Sequence, residues 1–476
     1  MSNGILLFLL LLFLSLVGGY LLKSCKCEYL QEAGLAVIIG LLCGAALKSI
    51  GENQVLQPVT RFNVEFFLLF LLPPIIFESG FNLNRRAFYQ NIGSSLIYAF
   101  LGTLLSALSI GLIVGLAGHN SDLRLGILEC ASFATLISST DTVSILALLK
   151  DLQAEGVLYN MLLGESIFND AVVISLYRTI ILLDEEGGST ALIAKAAGQF
   201  ALIFLASTLV GISVAFVVSF VTNKQILKRI GRVNLDLRHN LEASCVIFGP
   251  WISYLIAEAL SQSGIVSILL CGLFMAHYTR PNLSAGTLAV VGKAYSICSH
   301  AAENLVFIFL GMGVFSFKLP FREMGLSLII TSSIAILIGR MLNIAICSAL
   351  VNVYREKNKL NWRVQVPMWF AGPRGAIAFA LAVSSLHDFR HGDVILSLTL
   401  VFSVGSILVV GVGLAPLVRL LGSKEEEERN AELAAPEECG GKFKHWMAWL
   451  DEAYLYPFFV SPSENESPRN SLEAGQ

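Results

Sequence analysis

The sequence is short of charge. Only 14% of its 476 residues are Asp, Glu, Lys or Arg, against 55% hydrophobic, and the mean hydropathy is +0.71. A water-soluble domain keeps about a quarter of its residues charged, so this chain is solvated by lipid rather than by water. Its net charge of −3 is confined to short loops and a tail. There is no basic face for nucleic acid, and no Gly-rich phosphate loop between a strand and a helix. A disulfide framework is missing too. The nine cysteines (25, 27, 43, 130, 245, 271, 298, 347 and 439) are odd in number, unpatterned in spacing and mostly set in apolar segments, so they read as packing residues. Cys25-Lys26-Cys27 has no His or second Cys pair nearby and is not read as a metal site. The apolar runs also lack period-two alternation, and an open sheet edge cannot face lipid, which excludes strands.

What the chain has is long apolar segments. A hydrocarbon core about 30 Å thick needs roughly 20 residues of helix. By that ruler about thirteen spans start near residues 4, 31, 63, 92, 125, 157, 192, 240, 263, 288, 324, 364 and 394, the last ending near Leu421. NLNRR (82–86), DEEGG (184–188) and YREKNK (354–359) are among the interruptions. The first span lacks a basic leader and has a long apolar core, so a retained helix is expected rather than a cleaved signal. With loops assigned to alternate sides, fifteen Lys and Arg, from Lys23 and Lys26 through Arg85 and Arg86 to Arg355 and Arg363, share one side. The other holds five: Arg61, Arg124, Lys318, Arg322 and Arg390. The basic side is then cytosolic, with the C-terminal tail. Both sequons, at Asn282 and Asn465, fall on that side, where neither can be glycosylated.

Within the spans a few ionisable residues stand out: Glu78, Asp141, Glu165, Asp170, Glu303, Arg340 and Arg374. Each costs about 2.5–3.5 kcal/mol at a helix centre, so each needs a reason. In GESIFNDAV (164–172), Ser166 and Asp170 share one helix face while Glu165 and Asn169 share the next. The first face can present a carboxylate and a hydroxyl to a small hard cation. The second can hold a strut, with Glu165 pairing Arg340, a charge otherwise stranded in TSSIAILIGRMLNIAI. In LISSTDTVSIL (136–146), hydroxyl residues flank Asp141 and compete for the helix's own backbone groups, favouring local unwinding. In WFAGPRGAIAFAL (369–381), Gly372, Pro373 and Gly375 surround Arg374, and the proline removes a donor. Non-helical backbone at membrane depth survives only where it is buried in protein or lines a cavity. Two interrupted helices in different halves of a chain point to a transporter site at the bilayer midplane.

These stretches resemble, in order over roughly residues 60–421, the eukaryotic sodium/proton exchangers of the cation/proton antiporter superfamily. FFLLFLLPPIIFESG (66–80) is similar to the family's third-helix signature and STDTVSIL to its fifth-helix Asp motif. GESIFNDAV is similar to the Asn-Asp motif, and GPRGAIAFAL (372–381) to the Arg-Gly-Ala motif. PPIIFESGFNLN with FYQNIGS, and the tail segment WMAWLDEAYLYPFF (446–459), resemble the Golgi and endosomal branch. The resemblance implies an all-α polytopic membrane protein whose mobile core domain carries two broken helices beside a separate dimer domain. The core would be about 88–183 and 324–421, the dimer domain about 1–87 and 184–323, and 422–476 a short cytosolic tail. Asp170 would be the ion- and proton-binding carboxylate, supported by Asp141, Ser166 and an oxygen of Thr140, with Asn169 supporting without titrating. Glu165 and Arg340 would form the structural pair, and Arg374 would sit at the second break. Pro73 and Pro74 would bend the third span or shape an inhibitor pocket, and Glu78, near that helix's cytosolic end, would draw cations to the funnel or simply be solvated. The transported Na+ or K+ would be the only metal, with no cofactor and no catalytic residue. The partners implied are a second copy of the chain and membrane lipid. Two positions depart from the family pattern: Thr142 stands where Pro is common, and Pro373 where Leu is common.

The expected activity is electroneutral exchange of Na+, or alternatively K+, for H+, since Asn169 cannot titrate and leaves one proton per cycle. Such exchange would regulate luminal or cytosolic pH and cation content. An intramembrane aspartyl protease also needs two aspartates, but Asp141 and Asp170 lack its Gly-x-Gly-Asp context. A channel would need a pore-loop filter, and the chain has none. Glu303 is expected to pack rather than touch the ion. The run KEEEERNAELAAPEE (424–438) reads as solvated linker, the aromatic stretch after it as suited to a membrane interface or to docking under the transport core, and SPSENESPRNS (461–471) as disordered.

Overall fold

The computed structural model describes residues 2–25, 30–50, 64–82, 85–119, 125–151, 157–185, 192–223, 235–317, 320–355, 359–421 and 454–460. Lys26 and Cys27, the acidic run, the sequon at Asn465, the segment 461–471 and several of the basic loop residues lie outside this set. Among the described residues every regular element is a helix and no strand occurs. Nine of these helices are long and apolar enough to cross a membrane, and two shorter apolar helices, Ile127–Ser138 and Ala376–Asp388, are halves of interrupted ones.

In chain order the helices are α1 (Ser2–Ser24), α2 (Glu32–Ile50) and α3 (Val64–Phe81). Next comes α4, which runs as Arg85–Leu96, a π turn at Ile97–Gly102 and Thr103–His119. Then follow α5 (Ile127–Ser138), α6 (Val143–Asp151), α7 (Val157–Glu185) and α8 (Leu192–Val221). After these are α9 (Leu235–Ala259), α10 (Gly264–Phe274), α11 (Ala285–Ser316) and α12 (Phe321–Tyr354). Last are α13 (Trp362–Phe370), α14 (Ala376–Asp388), α15 (Gly392–Leu421) and a short tail helix, α16 (Tyr456–Phe459).

Pro73 and Pro74 supply no N–H to the carbonyls of Leu69 and Phe70, and α3 widens into a π turn over Phe67–Leu71, where Leu72 N–H reaches Phe67. Both prolines are buried.

The chain divides into two compact units. The first comprises Met1–Ile75, Arg86–Ile203 and Cys298–Glu437, and the second Ile76–Arg85, Phe204–Ile297 and Glu438–Gln476. In the first, α4 packs on α5 and α12, and α14 packs on α15. There α2 crosses α11 at glycines: a Cβ on Gly40 would overlap the Ile308 carbonyl, and one on Gly311 the Val37 carbonyl. Small residues let membrane helices approach this closely, where lipid provides no hydrophobic drive for association. In the second unit α9 packs on α10, with Ser253 and Ser267 hydroxyls 2.7 Å apart in a buried bond.

Candidate functional site

The site is built where α5–α6 and α13–α14 are each interrupted. Residues 139–142 and 371–375 are not helical, and the two breaks bond to each other. Asp141 N–H donates to the Pro373 carbonyl at 2.9 Å, and Arg374 Nη1 donates to the Ser139 carbonyl at 3.2 Å. Arg374 N–H is itself held by Ser406 Oγ of α15 at 2.9 Å. The unpaired backbone groups expected at membrane depth thus find partners across the crossing.

Four helix ends converge there. The N-termini of α6 and α14 bring partial positive charge and the C-termini of α5 and α13 partial negative charge. Asp141 lies just before α6, and the Arg374 guanidinium lies on a carbonyl just beyond the end of α5, so each formal charge sits against ends of opposite sign. Gly375 leaves room for this. A side chain there would run into the Asp141 carboxylate.

α7 supplies the remaining groups. Asp170 Oδ1 accepts from Ser139 Oγ at 2.7 Å. Asn169 Nδ2 donates to Thr140 Oγ1 at 3.0 Å and to the Ser138 carbonyl at 3.3 Å, while its Oδ1 accepts from Thr103 of α4 at 2.9 Å. Both amide hydrogens are thereby spent on holding the first break, and the amide oxygen anchors it to α4. One turn earlier, Glu165 makes a two-pronged pair with Arg340 of α12: Nη1 bonds Oε1, and Nη2 lies 3.1 Å from Oε2. Arg340 Nη2 also donates to the Met368 carbonyl of α13 at 3.0 Å. Glu165 is fully buried and Arg340 only 3% exposed.

Burial separates the supporting groups from the two carboxylates. Thr140, Asn169 and Arg374 are 0%, 1% and 2% exposed, whereas Asp141 and Asp170 are both partly open. The arrangement is therefore two reachable carboxylates among hydroxyl and carbonyl oxygens, on a scaffold whose other charges are locked. Oxygen donors of this kind suit a small hard cation.

The model of the family described as sodium/hydrogen exchanger, transmembrane, matches residues 9–420. The chain belongs to the sodium/hydrogen exchanger family. Sodium/hydrogen exchanger 5 of Arabidopsis thaliana is 36% identical over 412 residues, covering 86% of this chain and 78% of that one. Sodium/hydrogen exchanger 8 of Homo sapiens is 32% identical over 500 residues, covering 96% and 83%. Sodium/hydrogen exchanger 7 of Homo sapiens is 31% identical over 530 residues, covering 98% and 69%. The sodium proton antiporter MjNhaP1 from Methanocaldococcus jannaschii shares the fold, with a TM-score of 0.64 over 89% of this chain and 99% of that one at 18% identity.

In this exchanger chain the residues singled out from the sequence divide into groups. Asp141, Asp170, Thr140 and Asn169 meet at the first break, with Arg374 and Pro373 reaching it from the second. Gly372 lies beside Arg340 and Thr140, both of which a side chain there would contact. Ser166 is 7% exposed on α7, one turn before Asp170. Glu78 is only half-buried and accepts from Asn82 Nδ2 at 2.9 Å, within the second unit. Glu303 accepts from Ser299 at 3.3 Å on its own helix.

Three site residues had not been picked out as partners: Ser139, the donor to Asp170; Thr103, the donor to Asn169; and Gly375. Ser139 was visible as one of the hydroxyls before Asp141, but nothing local chooses it over Ser138. Thr103 carries no signal, being one hydroxyl in an apolar run. A clasp beyond the breaks was also missed. Glu129 accepts from Gly126 N–H (2.8 Å) at the start of α5 and from His391 N–H (2.9 Å) just before α15, with His391 Nδ1 3.0 Å away.

Proposed function

We propose that the chain is an electroneutral antiporter that exchanges Na+, or K+ in its place, for H+ at Asp170, one for one, by alternating access. The observation that carries this reading is the crossing of the two breaks, Asp141 N–H on Pro373 C=O, with Asp170 tied into the same turn through Ser139. A carboxylate that can hold a proton or a cation, but not both, is what obligate exchange requires. Asp141, Ser166 and Thr140 complete the cation's oxygen shell. Asn169 supports the first break and contributes no proton. Glu165 and Arg340 are a strut, Arg374 steadies the second break, and Pro73, Pro74 and Glu78 shape the entrance.

In this reading a core of about residues 88–183 and 324–421 rocks against a dimer domain of about 1–87 and 184–323 in a homodimer. The tail is cytosolic, from the charge bias of the loops, and the membrane is that of the Golgi or endosomes, from PPIIFESGFNLN and the tail motif. There the exchanger regulates luminal pH and cation content.

The test is cation-driven proton flux in proteoliposomes, wild type against Asp170→Asn. Loss of flux in the variant is expected, and the more effective gradient names Na+ or K+ as the substrate. Flux that survives the substitution sinks the assignment.

A further inference from the structure

The hydroxyls of residues 138, 139, 140 and 142 flank Asp141 at the first break, and three of them are tied to the scaffold. Ser138 Oγ donates to the Thr135 carbonyl at 2.7 Å, Thr140 Oγ1 accepts from Asn169 Nδ2 at 3.0 Å, and Thr142 Oγ1 donates to the Leu162 carbonyl at 3.4 Å. Ser139 differs. Its Oγ donates to Asp170 Oδ1 at 2.7 Å, and among the described residues it is the only hydrogen-bond donor to that carboxylate. The backbone that carries it is clamped. Ser139 N–H reaches the Leu136 carbonyl at 3.3 Å, and the Ser139 carbonyl accepts from Arg374 at 3.2 Å. The residue is 2% exposed, and only the rotation of its side chain is left free.

A hydroxyl suits this position as no amide N–H or guanidinium would. A carboxylate offers about four lone-pair sites, and Ser139 fills one of those on Asp170. The hydroxyl oxygen has two lone pairs of its own, to which no described residue donates. When the carboxylate is empty, the O–H closes on Oδ1. When a cation lies on the carboxylate, the same oxygen can turn a lone pair to it from one hydrogen-bond length away. A nitrogen donor in that place would always present a hydrogen to the ion and repel it. Small hard cations take carboxylate, hydroxyl and carbonyl oxygens together.

We infer that Ser139 Oγ is a direct ligand of the transported monovalent cation, in addition to Asp170, Asp141, Ser166 and Thr140. Its oxygen holds the empty carboxylate by donating to it and ligates the ion once the ion arrives. This inference rests on the antiporter reading, which supplies the cation.

The experiment measures cation binding directly, in the full-length protein in detergent, from the rise of the thermal midpoint with Na+ or K+ concentration. Ionic strength is held constant with choline. The pH is set high enough that the wild-type affinity no longer changes with it, so that protons do not compete. Wild type is compared with Ser139→Ala and Ser139→Cys, each read from its own cation-free midpoint. Cysteine keeps a weak donor for the carboxylate but places sulfur, a poor ligand for a hard cation, where the oxygen was. Both variants are expected to bind at least about tenfold more weakly than wild type, no less than the loss of an outer-shell partner costs a metal site. Wild-type affinity in the alanine variant overturns the assignment. So does wild-type affinity in the cysteine variant, because the donated hydrogen and not the oxygen is then what counts, and this arm decides if the alanine variant fails to fold. A loss seen only near neutral pH also overturns it, since Ser139 then acts on proton competition alone. A wild-type protein that neither Na+ nor K+ stabilises is instead a failure of the antiporter reading, and the ligand assignment falls with it.

Discussion

Glu165 and Arg340 face each other with almost no exposure, which makes them strongly dependent on one another. A buried charge left without its partner costs about 3–5 kcal/mol, whereas a well-packed apolar pair in its place can be neutral. Glu165→Gln is therefore expected to lower thermal stability in detergent sharply, and Glu165→Leu with Arg340→Leu to recover much of it. A double variant no more stable than the single one would mean that the bond of Arg340 to Met368, and not the pair, is what counts. At Gly375 the prediction is steric. Its φ of −118° suits any residue, but a Cβ would collide with the Asp141 carboxylate. Gly375→Ala is expected to fold and reach the membrane while losing cation-driven flux at least about tenfold. Normal flux would show that the carboxylate position is not critical.

At the scale of elements, the two interrupted helices support each other, through Asp141 N–H on the Pro373 carbonyl and Arg374 on the Ser139 carbonyl. Asn169 is the third participant, with its amide on Ser138 and Thr140 and its carbonyl taken by Thr103. Asn169→Ala removes all three bonds and leaves a buried carbonyl short of a donor, which costs about 1–3 kcal/mol. Both thermal stability and transport are expected to fall although no titrating group is lost. Loss of transport alone, at unchanged stability, would place Asn169 on the ion instead. The two departures from the family pattern are accommodated in the same terms. Pro373 uses only its carbonyl, towards Asp141, and Thr142 turns its hydroxyl to the Leu162 carbonyl at 3.4 Å. Farther from the site, Gly311→Leu is expected to destabilise the α2–α11 crossing, because the added side chain meets the Val37 carbonyl head on. The measurement is the yield of monodisperse protein, and a wild-type yield would refute it.

At the scale of the whole molecule, the consequence that matters is charge movement. One carboxylate exchanging one proton for one monovalent cation moves no net charge, so flux in reconstituted vesicles is expected to be indifferent to an imposed membrane potential. A voltage-dependent current would require a second titrating group, for which Asp141 is placed. The aromatic tail belongs at this scale as well: a segment suited on sequence grounds to an interface or to the transport core has its partners on α8 and the turn after α10.

The sequence by itself determined the class, the helical medium and the places where helices fail. Those properties follow from one-dimensional features: scarcity of charge, run length against bilayer thickness, and hydroxyl, proline and glycine residues in apolar segments. It also supplied the pairing of Glu165 with Arg340, because two opposite charges stranded in lipid-facing runs have few other partners. What only the tertiary structure decided is which neighbours satisfy the groups that the breaks leave open. Ser139 rather than another hydroxyl reaches Asp170, Thr103 anchors Asn169, and Gly375 clears the space for Asp141. These depend on where four helix ends and two crossing segments converge in space, and residues 103, 139, 170 and 375 carry no mark in the sequence of being neighbours.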